Sequence, residues 1–344
     1  MKKNLLIITQ VVDENDSDLG FFIEWIREFA LQVEHLFIIT GKHLSTELPA
    51  NVTVFSLGKE KGKGRGMRLY RFYTSLYRCL PKVDAVFAHM CPEYVVAGDF
   101  FYRWFKKPVS LWYVHKSVTN YLLRSEKIVD HIFTTNKDGI QIDSPKIIIT
   151  GHGIPTKKFI SSFSQETKKD GLSLLTVGRI SKSKNLLFLA KIVTILKSKT
   201  DKKVHLSVVG EPYTEDDKQY VQQIKDFIQA HGLQENIEWV GKVKYADLPQ
   251  RYVQADVLVS ASETGGLDKV ILEAMAVGTP VLTSNQAFKN ILPDTAYFYP
   301  ENSEEAVRKI LHASEIDTRA LQKYVQENHD LSRTIEKIIH TLWP

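Results

Sequence analysis

Apolar residues along this chain fall into short continuous runs separated by longer stretches in which they recur with a helical period. Through the first half the order is NLLIITQVV, FFIEWIREFALQV, HLFIITG, VTVFSLG, a basic helical stretch, VDAVFAHM, EYVVAGDFFYRWF, PVSLWYVH, TNYLLRSEKIV, DHIFTTN and KIIITGHGI. Unbroken β-branched runs alternating with helical ones predict parallel βαβ units whose sheets are covered on both faces. The second half repeats the pattern from LSLLTVGRI through VHLSVVG, IEWVGKV, DVLVSAS and PVLTS to a final helical region from about Ser303. Between the halves, PTKKFISSFSQETKKDG (Pro155 to Gly171) has few apolar residues and no period, and reads as a linker.

The expected organisation is therefore α/β: a doubly wound, Rossmann-like domain over 1–160, a linker over 161–171, and a second such domain over 172–320. A C-terminal helix within 321–344 is expected to cross back to the first domain. Two such domains facing each other would place a cleft between the carboxyl ends of their strands, where ligands of open α/β sheets bind.

Composition agrees with this picture and narrows it. A length of 344 residues with 43% hydrophobic and 25% charged positions suits two domains, each large enough for its own core. The opening MKKNLLIITQ carries too short an apolar run for a signal peptide or a membrane span, so a cytoplasmic location is expected. Cys79 and Cys91 form neither a zinc pattern nor a disulfide framework, as expected in a reducing compartment. The net charge of +5 is unevenly spread. Most of the excess lies in KEKGKGRGMRLYRFYTSLYRCLPK, where Lys59, Lys61, Lys63, Arg65, Arg68, Arg71, Arg78 and Lys82 face the single acid Glu60.

Two loops of the second half are equipped for an anion such as a diphosphate, and the helix after the second carries a carboxylate. Arg179 and Lys184 follow the strand LSLLTVG, where a loop could aim both at one anion; alternatively they are solvated surface charges. The turn TGGLDK opens a helix and places the amides of Gly266, Leu267 and Asp268 at its positive end, although such turns are often only structural. Within KVILEAMAV, Glu273 either faces solvent or sits on the inner face, where a carboxylate needs a partner such as a sugar hydroxyl.

In the first half, Gly20 ends the loop DENDSDLG before a helix and offers a second phosphate approach. The acids Asp16 and Asp18 in that loop are more simply helix-start partners than metal ligands. His89, His115 and His152 each follow a hydrophobic strand, which suits either a polar cleft edge or ordinary structural histidines. No nucleophile elbow, Ser/His/Asp ordering or Walker sequence is present, which argues against hydrolase or P-loop chemistry.

The basic segment has Leu69, Phe72, Tyr73, Leu76 and Leu80 at helical spacing, with Arg65, Arg68, Arg71 and Arg78 mostly elsewhere. With Trp104 in the nearby FFYRWFKK it suits an anionic membrane surface; the alternative is that the stripe is core and the charges are solvated. Nucleic-acid binding is not expected, because no recognised module accompanies the charge.

The ordered motifs VGRISKSKN, LSVVGE, VGKVKYADLPQRYVQADVLVSASE and GGLDKVILEAMAVGTPVL, spanning Leu172 to Ser284, resemble the carboxy-terminal domain of retaining glycosyltransferases of family 4. DLGFF, WYVHK and GHGI extend the resemblance to the first half, toward a bacterial subset carrying LDKVILEAMA. It implies a GT-B fold, with Arg179 and Lys184 on the donor diphosphate, Val243 at the nucleotide base and Glu273 on the ribose. It further implies that Gly20 meets the phosphate from the opposite domain and that His115 lies beside the donor sugar and reacting carbon. Such enzymes are typically metal-independent. One departure stands out: the family's first glutamate, eight positions before Glu273, is replaced here by Gly265, and neither Glu263 nor Asp268 is in register.

The reaction expected on this basis moves a hexose-type sugar, with retention, from a UDP- or GDP-sugar to a hydroxyl of a glycan or lipid-linked acceptor, with no cofactor and no metal. Two alternatives stay open: a nucleotide-sugar epimerase of the same architecture, and a non-catalytic partner subunit that keeps only the nucleotide site.

Overall fold

The computed structural model describes residues 3–16, 18–44, 46–161, 171–263 and 265–343. The chain divides into two compact units, Met1–Gly153 with His329–Pro344, and Ile154–Asn328. It thus leaves the first unit after residue 153 and returns at residue 329, where the sequence had suggested 160 and 321.

The first unit runs β1 (Leu5–Val12), α1 (Phe22–Gln32), β2 (Leu36–His43), β3 (Val52–Ser56), α2 (Arg65–Cys79), β4 (Ala85–His89) and α3 (Pro92–Trp104). It continues through β5 (Val109–Trp112), α4 (Asn120–Ile128), β6 (His131–Thr134) and β7 (Ile147–Ile149). The strands form one parallel sheet in the order β3-β2-β1-β4-β5-β6-β7. Alternation along β1 explains its unbroken apolar run: Leu6 and Ile8 enter a core with Phe72, Leu76 and Tyr102, while Leu5 and Ile7 enter another with Phe22, Trp25 and Phe29.

The second unit runs α5 (Thr156–Ser161), β8 (Leu172–Val177), α6 (Leu186–Lys199), β9 (Val204–Val209), α7 (Glu215–Ala230), β10 (Ile237–Gly241) and α8 (Leu248–Gln254). It ends with β11 (Val257–Ser260), α9 (Lys269–Val277), β12 (Val281–Thr283), α10 (Ser303–Leu311) and α11 (Thr318–Asn328). Its parallel sheet has the order β10-β9-β8-β11-β12. The last helix, α12 (Leu331–Leu342), returns to the first unit, where Ile335, Ile338 and Leu342 share the core of α1. Asp330 caps it by accepting the Arg333 N–H at 3.1 Å.

Two readings of the chain change here. Residues 162–170, most of the expected linker, lie outside the described residues. The stretch leading into them is the helix α5, whose Phe159 is 2% exposed in the core of the second unit. One large apolar side chain anchors it despite its polar surroundings. The stripe on the basic helix also resolves: Phe72, Leu76 and Leu80 are buried core residues, Tyr73 is partly buried, and Leu69 is exposed. The face first considered for a membrane therefore packs on the sheet.

Candidate functional site

In the second unit the chain reverses winding between β8 and β11, so the loops leaving these neighbouring strands flank a topological switch point. The loop after β8 carries Arg179 and Lys184; the loop after β11 carries Ser262, Glu263 and Gly265 through Asp268. Close backbone approach shapes the β8 end. Gly210, after β9, has φ +136°, and a Cβ there would lie 2.0 Å from the Gly178 carbonyl oxygen.

The two cations lean to opposite sides of β8. Arg179 is exposed, with its guanidinium carbon 6.0 Å from the Tyr213 ring centre on the β9 side. Nearby, burial tends to raise the Asp217 carboxyl, but Thr214, the Tyr213 N–H and the charge of Arg179 together hold it below the ordinary carboxylate range. Lys184 leans toward β11, where its Nζ lies 2.9 and 3.0 Å from the Asp268 carboxylate oxygens and 3.4 Å from Ser262 Oγ.

The glycine turn is held by Asn285, whose Nδ2 donates to the Gly266 carbonyl at 2.8 Å. Leu267 is buried beneath the turn, Gly266 borders open space, and α9 begins at Lys269 with Asp268 as its N-cap. Glu273 faces inward, only 1% exposed. Tyr252 of α8 donates its hydroxyl to Glu273 Oε2 at 2.8 Å, and Lys269 Nζ lies 3.6 Å from Oε1. Burial raises the Glu273 carboxyl above its ordinary range against the pull of Lys269, Tyr252 and Tyr245. Lys269 also lies 4.8 Å over the Tyr245 ring, two residues beyond the half-buried Val243. The loop expected at the nucleotide base therefore adjoins the carboxylate expected at the ribose.

The model that describes the glycosyl transferases group 1 family matches residues 157–330, just over half of the chain. The chain belongs to this family. It is 29% identical over 116 residues to the mannosylfructose-phosphate synthase of Agrobacterium fabrum, covering 33% of this chain and 26% of that one. It is 26% identical over 179 residues to the lipopolysaccharide core biosynthesis mannosyltransferase LpsB of Rhizobium meliloti, covering 50% and 49% respectively. The chain thus spans about a quarter of the first relative's length and about half of the second's. Among solved structures, Anabaena HepE in complex with UDP matches with a TM-score of 0.74 at 15% identity, over 98% of this chain and 99% of that one. Sucrose-phosphate synthase from Thermosynechococcus elongatus matches with a TM-score of 0.74 at 14% identity, over 99% and 98%. These likenesses show the shared GT-B fold of two Rossmann-like α/β domains.

The family match falls on the unit that holds Arg179, Lys184, Val243 and Glu273. The other candidates belong to the first unit. His115 is exposed and pairs with Ile140 in an isolated bridge. Its Nδ1 accepts the Ser117 N–H at 2.9 Å, so the neutral ring carries its proton on Nε2 and presents a donor there. Gly20 is buried and donates its N–H to the Asp16 carbonyl at 3.0 Å; a Cβ would lie 2.5 Å from that oxygen. Its smallness serves the loop's own closure. Asp16 Oδ1 likewise accepts the N–H groups of Asp18 and Leu19, as helix-start acids do.

Of the two alternatives for a histidine at a strand end, His89 takes the structural one. It is fully buried, stacked 3.9 Å from the Phe22 ring centre and 5.1 Å from that of Trp112, with Thr9 Oγ1 3.3 Å from Nδ1. Aromatic residues brought from α1 and β5 make it part of the core. His152 is buried too, its N–H donating to His329 Nδ1 at 3.2 Å.

Sequence reasoning passed over Lys269, Tyr252, Tyr245, Tyr213 and Ser262. Lys269 had a readable signal, since it precedes Glu273 by one helical turn. The others are contacts made across the fold.

Proposed function

We propose that this chain is a retaining glycosyltransferase of family 4 that moves a sugar from a UDP- or GDP-sugar to a hydroxyl of a glycan or lipid-linked acceptor. The observation that carries this reading is the meeting of the Lys184 loop and the α9 turn at the β8/β11 switch point, within the family-matched unit. The complex of Anabaena HepE with UDP supports a nucleotide donor on this fold.

In this reading the diphosphate lies between Arg179 and Lys184, at the amino end of α9, with the base near Val243 and the ribose on Glu273. Charge builds on the leaving phosphate as the glycosidic bond breaks, and these cations stabilise it more than the ground state. The charge comes from side chains, without a metal ion. Glu273 is buried against Tyr252, and in this reading the departing phosphate accepts the acceptor's proton in a front-face attack.

Thermal-shift titration with UDP-, GDP-, ADP- and TDP-sugars tests the reading, since a ligand at a hundred times its dissociation constant adds about 2.7 kcal/mol. Arg179→Ala and Lys184→Ala should each lose on the order of a hundredfold in turnover. Absence of any shift, or unchanged turnover in both variants, would refute the assignment.

We further propose a peripheral membrane role for the outer faces of α2 and α3. No helix among the described residues is long and apolar enough to cross a membrane. Tyr70, Tyr77, Phe100 and Trp104 are nevertheless 64–70% exposed. Arg65, Lys59, Lys61 and Lys63 are exposed at the amino end of α2, whereas Arg68 and Arg71 are half-buried and Arg71 folds against Gly58.

A further inference from the structure

Asp268 occupies the N-cap of α9 but does not cap it. Aspartate there normally accepts an N–H from the first turn, yet its side chain makes no such bond. Both carboxylate oxygens instead face Lys184 Nζ, at 2.9 and 3.0 Å. The pair is largely covered, with side-chain exposures of 25% for Lys184 and 13% for Asp268, and the fully buried Ser262 offers its Oγ to the same ammonium. Removing two ions from water is costly, and here the close contact and the Ser262 hydroxyl offset that cost.

The backbone explains why a carboxylate stands here rather than earlier. Gly265 has φ +63°, where a side chain is strained. Asp268 has φ −68° and ψ 118°, open to any residue. Glu263 is exposed and turns to Asn185, whose Nδ2 donates to it at 3.2 Å.

We propose that Asp268 is the positioning carboxylate of the donor site. Before a donor binds, it holds the Lys184 ammonium at the amino end of α9. It yields that ammonium to the incoming diphosphate and then accepts hydrogen bonds from hydroxyls of the donor sugar. This inference rests on the donor-site reading above.

The test compares the wild type, Asp268→Asn, Asp268→Ser and Lys184→Ala by calorimetric titration with UDP, GDP, UDP-glucose and GDP-mannose, and by turnover of whichever sugar binds. Serine restores a good cap without charge, so any loss it shares with asparagine is not a folding defect. In both Asp268 variants Lys184 is no longer shared. The free nucleoside diphosphate should bind at least as tightly as in the wild type, while the advantage of the nucleotide sugar over it and kcat each fall by about tenfold or more. Wild-type affinities and kcat in both Asp268 variants would overturn the inference, as would equal weakening toward diphosphate and sugar-bearing ligand. If the wild type binds none of the four, or Lys184→Ala binds them normally, the donor-site reading itself fails. Loss of binding in Lys184→Ala beside an unaffected Asp268→Asn would sink this inference alone.

Discussion

The backbone N–H of His152 donates to Nδ1 of His329 at 3.2 Å, tying together the two segments at which the chain leaves and re-enters the first unit. The same region is fastened by Thr334 Oγ1 donating to the Thr150 carbonyl at 2.9 Å and Lys337 Nζ donating to the Ile149 carbonyl at 2.7 Å.

Burial depresses the His329 imidazole from 6.5 to about 4. The folded state therefore favours the neutral ring, whose Nδ1 must stay unprotonated to accept the His152 N–H. As pH falls below 6.5 the unfolded chain takes up a proton that the folded chain refuses, and stability drains away until about pH 4, where both forms are charged. The window corresponds to about 3 kcal/mol. Urea denaturation between pH 4 and 7 should show this loss on acidification, and His329→Asn, which keeps an acceptor without the titration, should flatten the curve. A wild-type profile that is level across the window would disprove the role given to His329.

Tyr252 and Glu273 make a second testable pair. Tyr252→Phe leaves Glu273 Oε2 buried without its hydroxyl donor, which should cost about 1–3 kcal/mol in chemical denaturation. Combining it with Glu273→Gln should cost less than the sum of the two single changes, because the buried charge is gone. Nucleotide titration separates the roles: Glu273→Gln should lose affinity for the ribose-bearing ligand well beyond any loss in Tyr252→Phe. Equal affinity in both variants would leave Glu273 as a core residue only.

These residues also show what was readable in the chain. The LLII of β1 is a run of wholly buried positions, and its pattern alone told of a strand covered on both faces. The inner face of α9 left Glu273 undecided between solvent and core, because the hydroxyl it accepts, that of Tyr252, arrives from another helix. His89 stayed open between cleft edge and core, since position at a strand end does not reveal the rings of Phe22 and Trp112 around it. Periodicity found the apolar stripe of α2 but could not say whether sheet or membrane covered it; the sheet does, and the aromatic residues left outside lie off that stripe. Asp268 was visible as an acid in a glycine turn, whereas its grip on Lys184 depends on two strands being neighbours in the sheet.

Glycine positions yield opposite expectations in the two units. Gly210→Ala would drive a Cβ into the Gly178 carbonyl from a φ that side chains avoid, and should destabilise by more than about 2 kcal/mol. Gly66, near the start of α2, has no neighbouring atom within 4 Å of the place a methyl group would take. Gly66→Ala should therefore stabilise by about 0.5–1 kcal/mol through helix propensity. Thermal unfolding of the two variants side by side checks both signs, and a stable Gly210→Ala would mean that the β8/β9 ends are less tightly apposed than described.

The proposed membrane role of the outer aromatic set can be tested directly. Phe100 and Trp104 lie with ring centres 5.5 Å apart on α3, and Tyr77 of α2 lies 6.2 Å from Phe105. Aromatic side chains of this kind settle at the headgroup level, while nearby lysine and arginine add about 1 kcal/mol each on an anionic leaflet. Flotation with vesicles of neutral lipid, and of neutral lipid mixed with phosphatidylglycerol, should show binding only to the mixture. Because the basic term is screened, that binding should weaken as salt rises. Tyr77→Ser with Trp104→Ser should abolish it at low salt, where the charges are intact, without lowering the thermal midpoint, since both side chains are about two-thirds exposed or more. Equal flotation with both vesicle types, or a double variant that binds as the wild type does, would remove this face from contact with the membrane.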